Sequence, residues 1–435
     1  MRILLFNLLT ISILSIIISA CSQVTDTAEP ALFLILENPE VLVRNDAPIV
    51  VPRSELSEYM GSENMAPVLR DSAGQLIPYQ LDDLDGDGNW DEMALVVSMA
   101  PNSTKPITIN WTSPDSIPAF EARTNIRFGM KEGDSPIREV EEYSVAADEI
   151  PRNGMPFQMD GPAFENDQIG FRHYFDGRNT RDFFGKRTTE MVLDDVGIGE
   201  QGEVKDTYHV LNDWGRDILS VGSSLGLGGI SIISNDEAVR LGVTLEDKVN
   251  NIKNTTFRLI TEGPVRSIFE LDFEGWEVGE EPIDLTEHTT IWAGQYWVKN
   301  EVTLQGSNGT DTLLVGLVNS NNDEPLMILD DTEEWLALAT HDKQTYEKEF
   351  YLGMAIILPA ENYLGYREAP ESGHSITTSY NAMLSLPAGE KLTFYALGGW
   401  ELNDERFTQR TFFTRFVENE LSRIEEPVHY RIVEE

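Results

Sequence analysis

Apolar and polar residues alternate in short runs along most of this chain. Ile107, Ile109 and Trp111 alternate with Thr108 and Asn110, and Val302 and Leu304 with Glu301 and Thr303. A period of two marks strands with one buried face, whereas helices repeat every 3.6 residues. Gly, Asn, Asp and Pro punctuate the runs, as at Pro101-Asn102 and Pro387-Ala388-Gly389, which predicts antiparallel strands joined by turns. One helix stands apart. Phe413, Phe416, Val417, Glu420, Leu421 and Ile424 follow helical spacing, Asp404 is placed to cap the start, and Pro427 follows the end. Pro114 and Pro118 break the strand pattern between Ser113 and Ala119. The expected fold is all-β: a small N-terminal β-sandwich over 31–115, then a large antiparallel β-sandwich over 119–435 with a C-terminal helix.

The first thirty residues follow a different pattern. Met1-Arg2 precedes an apolar stretch, Leu4 to Ile18, interrupted only by Asn7, Thr10, Ser12 and Ser15, and Ile18-Ser19-Ala20-Cys21 has the form of a lipobox. The length suits a signal peptide better than a membrane span. Cys21 is the single cysteine of the chain, so it forms no internal disulfide, and lipidation is its expected use. Residues 22–30 are small, polar and acidic, as in a flexible tether. The expectation is a lipid-anchored envelope protein, with Ser22 after the cysteine favouring the outer membrane.

Charge narrows the list of partners. There are 74 acidic and 32 basic residues, a net charge of −42. Such a surface repels nucleic acid and anionic headgroups, so membrane contact is expected through the lipid alone. It also stays soluble in high salt, where charge is screened.

Against this background, the segment 171–190 is unusual. It holds Arg172, Arg178, Arg181, Lys186 and Arg187, whereas 32 basic residues in 435 average between one and two per twenty. Arginine binds a carboxylate or sulfate through two hydrogen bonds at once, and His173-Tyr174 adds proton-transfer groups. Pairing with Asp176, Asp182 and Glu190 on an ordinary loop is the bland alternative. Tyr208-His209 and Trp214 form a second cluster, in which a strand would send Tyr208 and His209 to opposite faces. A third runs from His288 to Lys299. As a strand it would place His288, Trp292 and Tyr296 on one face, as sandwich core or a sugar-stacking platform, and Trp297 and Lys299 on the other. Asp83, Asp85, Asp87 and Asp91, with Gly88 between, match the start of an EF-hand-type loop, but Ala94 stands where its glutamate belongs. They are candidate ligands for a structural calcium ion, with an acidic turn as the alternative. Gly222-Ser-Ser224-Leu-Gly226 fits a nucleophile elbow only if a helix follows, and the sequence there is strand-like.

The stretches Tyr79-Gln-Leu-Asp-Asp-Leu-Asp-Gly-Asp-Gly88, Arg172-His-Tyr-Phe-Asp-Gly-Arg-Asn179, Asp213-Trp-Gly215, Gln295-Tyr-Trp-Val-Lys-Asn300 and Tyr395-Ala-Leu-Gly-Gly-Trp400 resemble a family of bacterial lipoproteins. Its members occur in polysaccharide-utilisation gene clusters and were long catalogued as a domain of unknown function. One member acts as an oligosaccharide dehydratase in ulvan breakdown. The resemblance spans about 32–424 and implies an anionic oligosaccharide substrate and elimination of water from a terminal uronic acid, without a required cofactor. On our reading of the residues, His173 or His209 would take the C5 proton and Tyr174 would protonate the leaving 4-hydroxyl, with Tyr296 in reserve. Arg178, Arg181, Lys186 and Lys299 would hold the anion, and Trp214 or Trp292 the ring. A polysaccharide lyase and a non-catalytic glycan-binding lipoprotein remain open alternatives.

Overall fold

The computed structural model describes residues 31–62, 65–149, 156–279, 281–307, 311–387 and 389–434. The expected signal peptide, Cys21 and the tether lie outside them. The fold is all-β with antiparallel sheets, as the alternating pattern predicts. A four-stranded sheet, ordered His429–Glu434, Leu32–Asn38, Ser103–Thr112 and Ala66–Arg70, faces a three-stranded one of Arg44–Pro52, Glu92–Met99 and Tyr79–Asp82. Leu34, Leu36, Val51, Leu95 and Ile107 fill the space between them. The chain's last strand therefore leaves the large sandwich and pairs with its first, Leu32 opposite Glu434, a departure from the expected extent of 119–435. His429 to Glu434 alternate in exposure, so the pattern identified a strand without identifying its partner.

The large sandwich rests on a nine-stranded sheet. Its order is Glu142–Ala146, Asn254–Glu262, Arg266–Trp276, Ile283–Trp292, Trp297–Gln305, Lys391–Trp400, Leu352–Pro359, Trp335–Asp342 and Met327–Leu329. Two five-stranded sheets cover its inner face. One comprises Gly215–Asp217, Arg181–Lys186, Ile169–His173, Ala163–Asn166 and Thr124–Arg127. The other comprises Glu237–Arg240, Leu227–Ser234, Thr312–Val318, Ser379–Ser385 and Tyr363–Glu368. The bridge Arg181 to Gly226 joins them. Strand alternation divides each nine-stranded-sheet residue pair between two cores. Leu338, Ile356 and Phe394 face inward, while Ala339, Ile357 and Leu397 face outward to helix Arg410–Glu425 and to Ala94 and Val96 of the small sandwich. Asp404 caps the short turn Glu405–Thr408 rather than the helix, whose N-cap is Gln409 without a side-chain bond.

The two layers interlock through reciprocal ring-and-glycine contacts. A Cβ on Gly185 would lie 2.4 Å from Trp400, and one on Gly398 would lie 2.5 Å from Phe183. Each glycine therefore makes room for a ring from the facing sheet. Both Gly185→Ala and Gly398→Ala are expected to overpack this seam and lower stability by about 1–3 kcal/mol; urea unfolding measures the loss, and unchanged midpoints would contradict this packing.

Candidate functional site

The register of one strand pair decides where the basic segment goes. Arg172 stands opposite Asp182 and His173 opposite Arg181, so alternate residues pass to opposite faces of the sheet. His173 and Arg181 point into the sandwich. The Arg181 guanidinium lies 2.9 Å from Glu287 and donates to His173 Nδ1 (3.2 Å), Asn300 (3.1 Å) and Thr289 (3.0 Å). His173 is 2% exposed, and burial, followed by the Arg181 charge, holds its pKa well below the ordinary range. A neutral histidine sealed in the core cannot take a proton from a ligand, nor can Arg181 bind an anion there. Lys186 faces the other way but is equally enclosed, bound by the Glu165 carboxylate and by the carbonyls of Asn166 (2.7 Å) and Glu190 (2.8 Å). Three of the expected roles fall here, because ion pairs and burial occupy those side chains.

On the outer face the remaining residues converge. Arg172, fully buried, is bound by Asp182, by Asp217 at 2.7 Å and by the Tyr174 hydroxyl, which lies 3.1 Å from Asp182. Arg178 lies 3.8 Å from the Tyr174 ring centroid and grips Asp176 at 2.7–2.8 Å. Tyr208 and His209 belong to a loop rather than a strand, so they do not diverge. Tyr208 is buried, and the His209 ring lies 4.8 Å from it. His209, 56% exposed, lies 3.7 Å from Asp217 and 3.9 Å from Asp206. Asp160, 40% exposed, completes the patch 3.6 Å from Arg172. Trp214 sits at its edge, half-buried and turned edge-on to Phe184.

The electrostatics of this patch favour proton transfer. Burial, then the nearby Asp182 charge, pushes Asp217 up to about 8, and burial also raises Asp160. Tyr174 is pushed well above its usual range by burial, but its hydroxyl is committed inward to Asp182, so it positions Arg178 rather than serving as the acid. Five aspartates (160, 176, 182, 206 and 217) surround two arginines. Sequence reasoning named Arg172 in the basic run without giving it a role, and missed Asp160 and Asp217. Arg172 and Asp217 carried signals, the first in the basic run and the second just after Asp213-Trp-Gly215, whereas Asp160 carried none.

The other candidates lie elsewhere. The strand carrying Trp292 ends there, so Tyr296 does not share its face; it packs between Phe407 and Phe416 and donates to Asn403 at 2.7 Å. Its role as reserve acid is withdrawn. Trp292 is 5% exposed with Arg266 over its ring at 5.2 Å, leaving no face for a sugar. Lys299 joins His288 on the outer face of the nine-stranded sheet. In the acidic loop, carboxylate oxygens of Asp83, Asp85 and Asp91 lie within 4.8 Å of one another, whereas Asp87 accepts from Asn89 at 2.7 Å. Three carboxylates fit the oxygen chemistry of calcium but are fewer than the six to eight ligands it takes. Ser224 accepts from the Gly226 amide at 2.9 Å and a strand follows, so no nucleophile elbow forms.

Asp217 gives a pH signature. The unfolded chain releases this proton near pH 4, while the folded protein retains it to about 8. Its contribution to stability is complete below pH 4 and is lost as pH rises toward 8. Asp217→Asn removes the titration, so the stability difference between wild type and variant should change across pH 4–8; a constant difference in urea midpoints would contradict the assignment.

Comparison with known proteins places the chain. The sequence profile of the domain of unknown function DUF4861 matches residues 36–429. Uncharacterized protein P7 of Formosa agariphila is 22% identical over 305 residues, 64% of this chain and 68% of that protein. Among solved structures, an alpha-mannosidase from Enterococcus faecalis V583 aligns over 93% of this chain with a TM-score of 0.47 and 11% identity. A protein in the glycosyl hydrolase family 38 from Enterococcus faecalis aligns over 93% with a TM-score of 0.46 and 11% identity. The chain covers 46% and 47% of those two chains, about half their length. With the profile matched over nearly all of the described chain, this protein belongs to the DUF4861 family.

Proposed function

We propose that this protein is a lipid-anchored enzyme of carbohydrate breakdown that removes water from the terminal uronic acid of an algal oligosaccharide, ulvan-like in kind, leaving a 4,5-unsaturated end. The observation that carries the reading is that the exposed His209 and the part-exposed Asp160 and Arg178, from separate stretches of chain, flank the buried cluster of Arg172, Tyr174 and Asp217. The C5 proton lies alpha to a carboxylate and is weakly acidic, so elimination needs that carboxylate's charge offset. Arg178, at the rim, supplies the cation. His209 takes the C5 proton, oriented by Asp217; the C5–H electron pair forms the C4–C5 double bond as the C4–O bond breaks. Asp160, which burial biases toward its protonated form, gives its proton to the departing hydroxyl, and water leaves. Val210, 70% exposed beside His209, and Trp214 offer apolar surface to the ring.

A second reading, glycan binding without elimination, is favoured by one observation: five aspartates around two arginines suit an uncharged sugar better than an anionic one. Incubation with uronic-acid oligosaccharides decides between them. The expected products absorb as unsaturated uronates and are lighter by one water, whereas a polysaccharide lyase would split the chain. His209→Ala should lower the rate by roughly 10²–10⁴-fold with binding retained, and Arg178→Met should chiefly raise KM. If no uronate yields new absorbance, the elimination reading fails. Lipid attachment through Cys21 is part of the proposal: Cys21→Ser should move the protein from the membrane to the soluble fraction.

A further inference from the structure

A second groove lies where the small sandwich meets the outer face of the nine-stranded sheet. It encloses about 440 Å³ and is roofed by Val50, Leu84 and Glu92. Its floor crosses four neighbouring strands, carrying Glu270, His288, Lys299 with Glu301, and Lys391 in turn. Its lining carries three acidic residues (Glu92, Glu270 and Glu301) and three basic ones (Arg266, Lys299 and Lys391), and the two lysines gather at one end. Lys299 and Lys391 reach the same Glu301 oxygen, at 3.2 and 3.4 Å, and among the described residues neither ammonium has another ion-pair partner. One carboxylate between two ammoniums leaves a surplus positive charge. Burial favours the neutral acid at Glu301, but both lysines together hold its carboxyl below the ordinary range.

The other charges of the groove are already matched. Arg266 is held by Asp82 at 2.6 Å and Glu92 at 2.7 Å. Glu270 binds His288 at 2.8 Å and Arg258 at 2.6 Å, which hold its pKa at about 2; Arg258 is shared with Asp272 and Glu142, and Glu270 remains an anion that does not compete for the lysines. His288 and Glu301 stand opposite one another across the strand pair, so a ligand on the lysines would also meet the histidine. Ile260 and Ile268 add aliphatic surface, and the volume exceeds what a bare ion needs. In a chain of net charge −42, a pair of ammoniums sharing one carboxylate attracts anions that the rest of the surface repels.

We infer that this groove binds a small organic oxyanion, a sulfate ester or carboxylate carried on a ring-sized body, held by Lys299 and Lys391. The site is separate from the His209 patch, and the inference does not depend on elimination occurring there. Both lysines keep a large part of their side chains in solvent, 32% and 58%, so substitution is expected to leave the fold intact.

The test is calorimetric titration of the mature protein with inorganic sulfate, acetate and glucuronate at fixed ionic strength. Saturable binding of at least one is expected. Lys299→Gln and Lys391→Gln should each weaken it by roughly fivefold or more, the effect of one lost charge-assisted hydrogen bond. Glu301→Gln should tighten it, because two ammoniums are released from their shared partner, an outcome that simple damage to the fold would not give. His209→Ala should leave it unchanged, separating this site from the proposed catalytic patch. Sulfate alone binding identifies a sulfate ester as the ligand group, and acetate or glucuronate binding identifies a carboxylate. Binding of none of the three, or binding indifferent to both lysine variants, overturns the inference.

Discussion

Arg172 and Asp182 face one another across two strands with almost no water to screen them, and Asp217 and the Tyr174 hydroxyl close the same ring of contacts. Taking charges out of water costs several kcal/mol per ion, and only mutual pairing offsets it; loss of one partner from such a group typically costs 3–5 kcal/mol. This constraint organises the surface above it. Asp217 can reach Arg172 only if Gly215–Asp217 pairs with Arg181–Lys186, and that pairing draws the loop with Tyr208 and His209 over the sheet. The exposed histidine thus owes its position to a buried arginine.

The opposite face of the same two strands obeys the same rule with different partners. Arg181 is matched by Glu287 from the nine-stranded sheet, with Asn300, Thr289 and His173 taking its other hydrogens. A charged group enclosed among phenylalanines has few alternative arrangements, since a shift would break the contacts that offset its burial. Together with the reciprocal glycine and ring contacts of Gly185 and Gly398, it ties the two layers into one register. The sheet bearing the outer patch is therefore a rigid platform, which suits residues that must hold a proton donor and acceptor in place.

The fold class was legible because alternation is a local signal: Ile107, Ile109, Val302 and Leu304 occupy the buried positions their spacing predicts. The site was half legible. Composition singled out the segment 171–190, and Tyr174, Arg178 and His209 do come together. Composition could not say that His173 and Arg181 turn inward while Arg172 turns outward, since a shift of one residue in strand register exchanges the faces. Nor could it find Asp160 or Glu287, whose partners lie 12 and 106 positions away in the chain (Arg172 and Arg181). The misplacement of Tyr296 has a simpler cause: a strand pattern was carried through a turn beginning at Ala293.

The pairing of Leu32–Asn38 with His429–Glu434 ties the order of assembly to the order of synthesis. Until the last strand arrives, one edge of the first offers unpaired backbone groups, an invitation to association with other chains. Closing a loop of some four hundred residues is entropically expensive but grows only slowly with length, so the late strand can still find its place once the intervening sandwich has folded and brought the ends together. The smaller sandwich, though first to emerge, is thus the last to be finished.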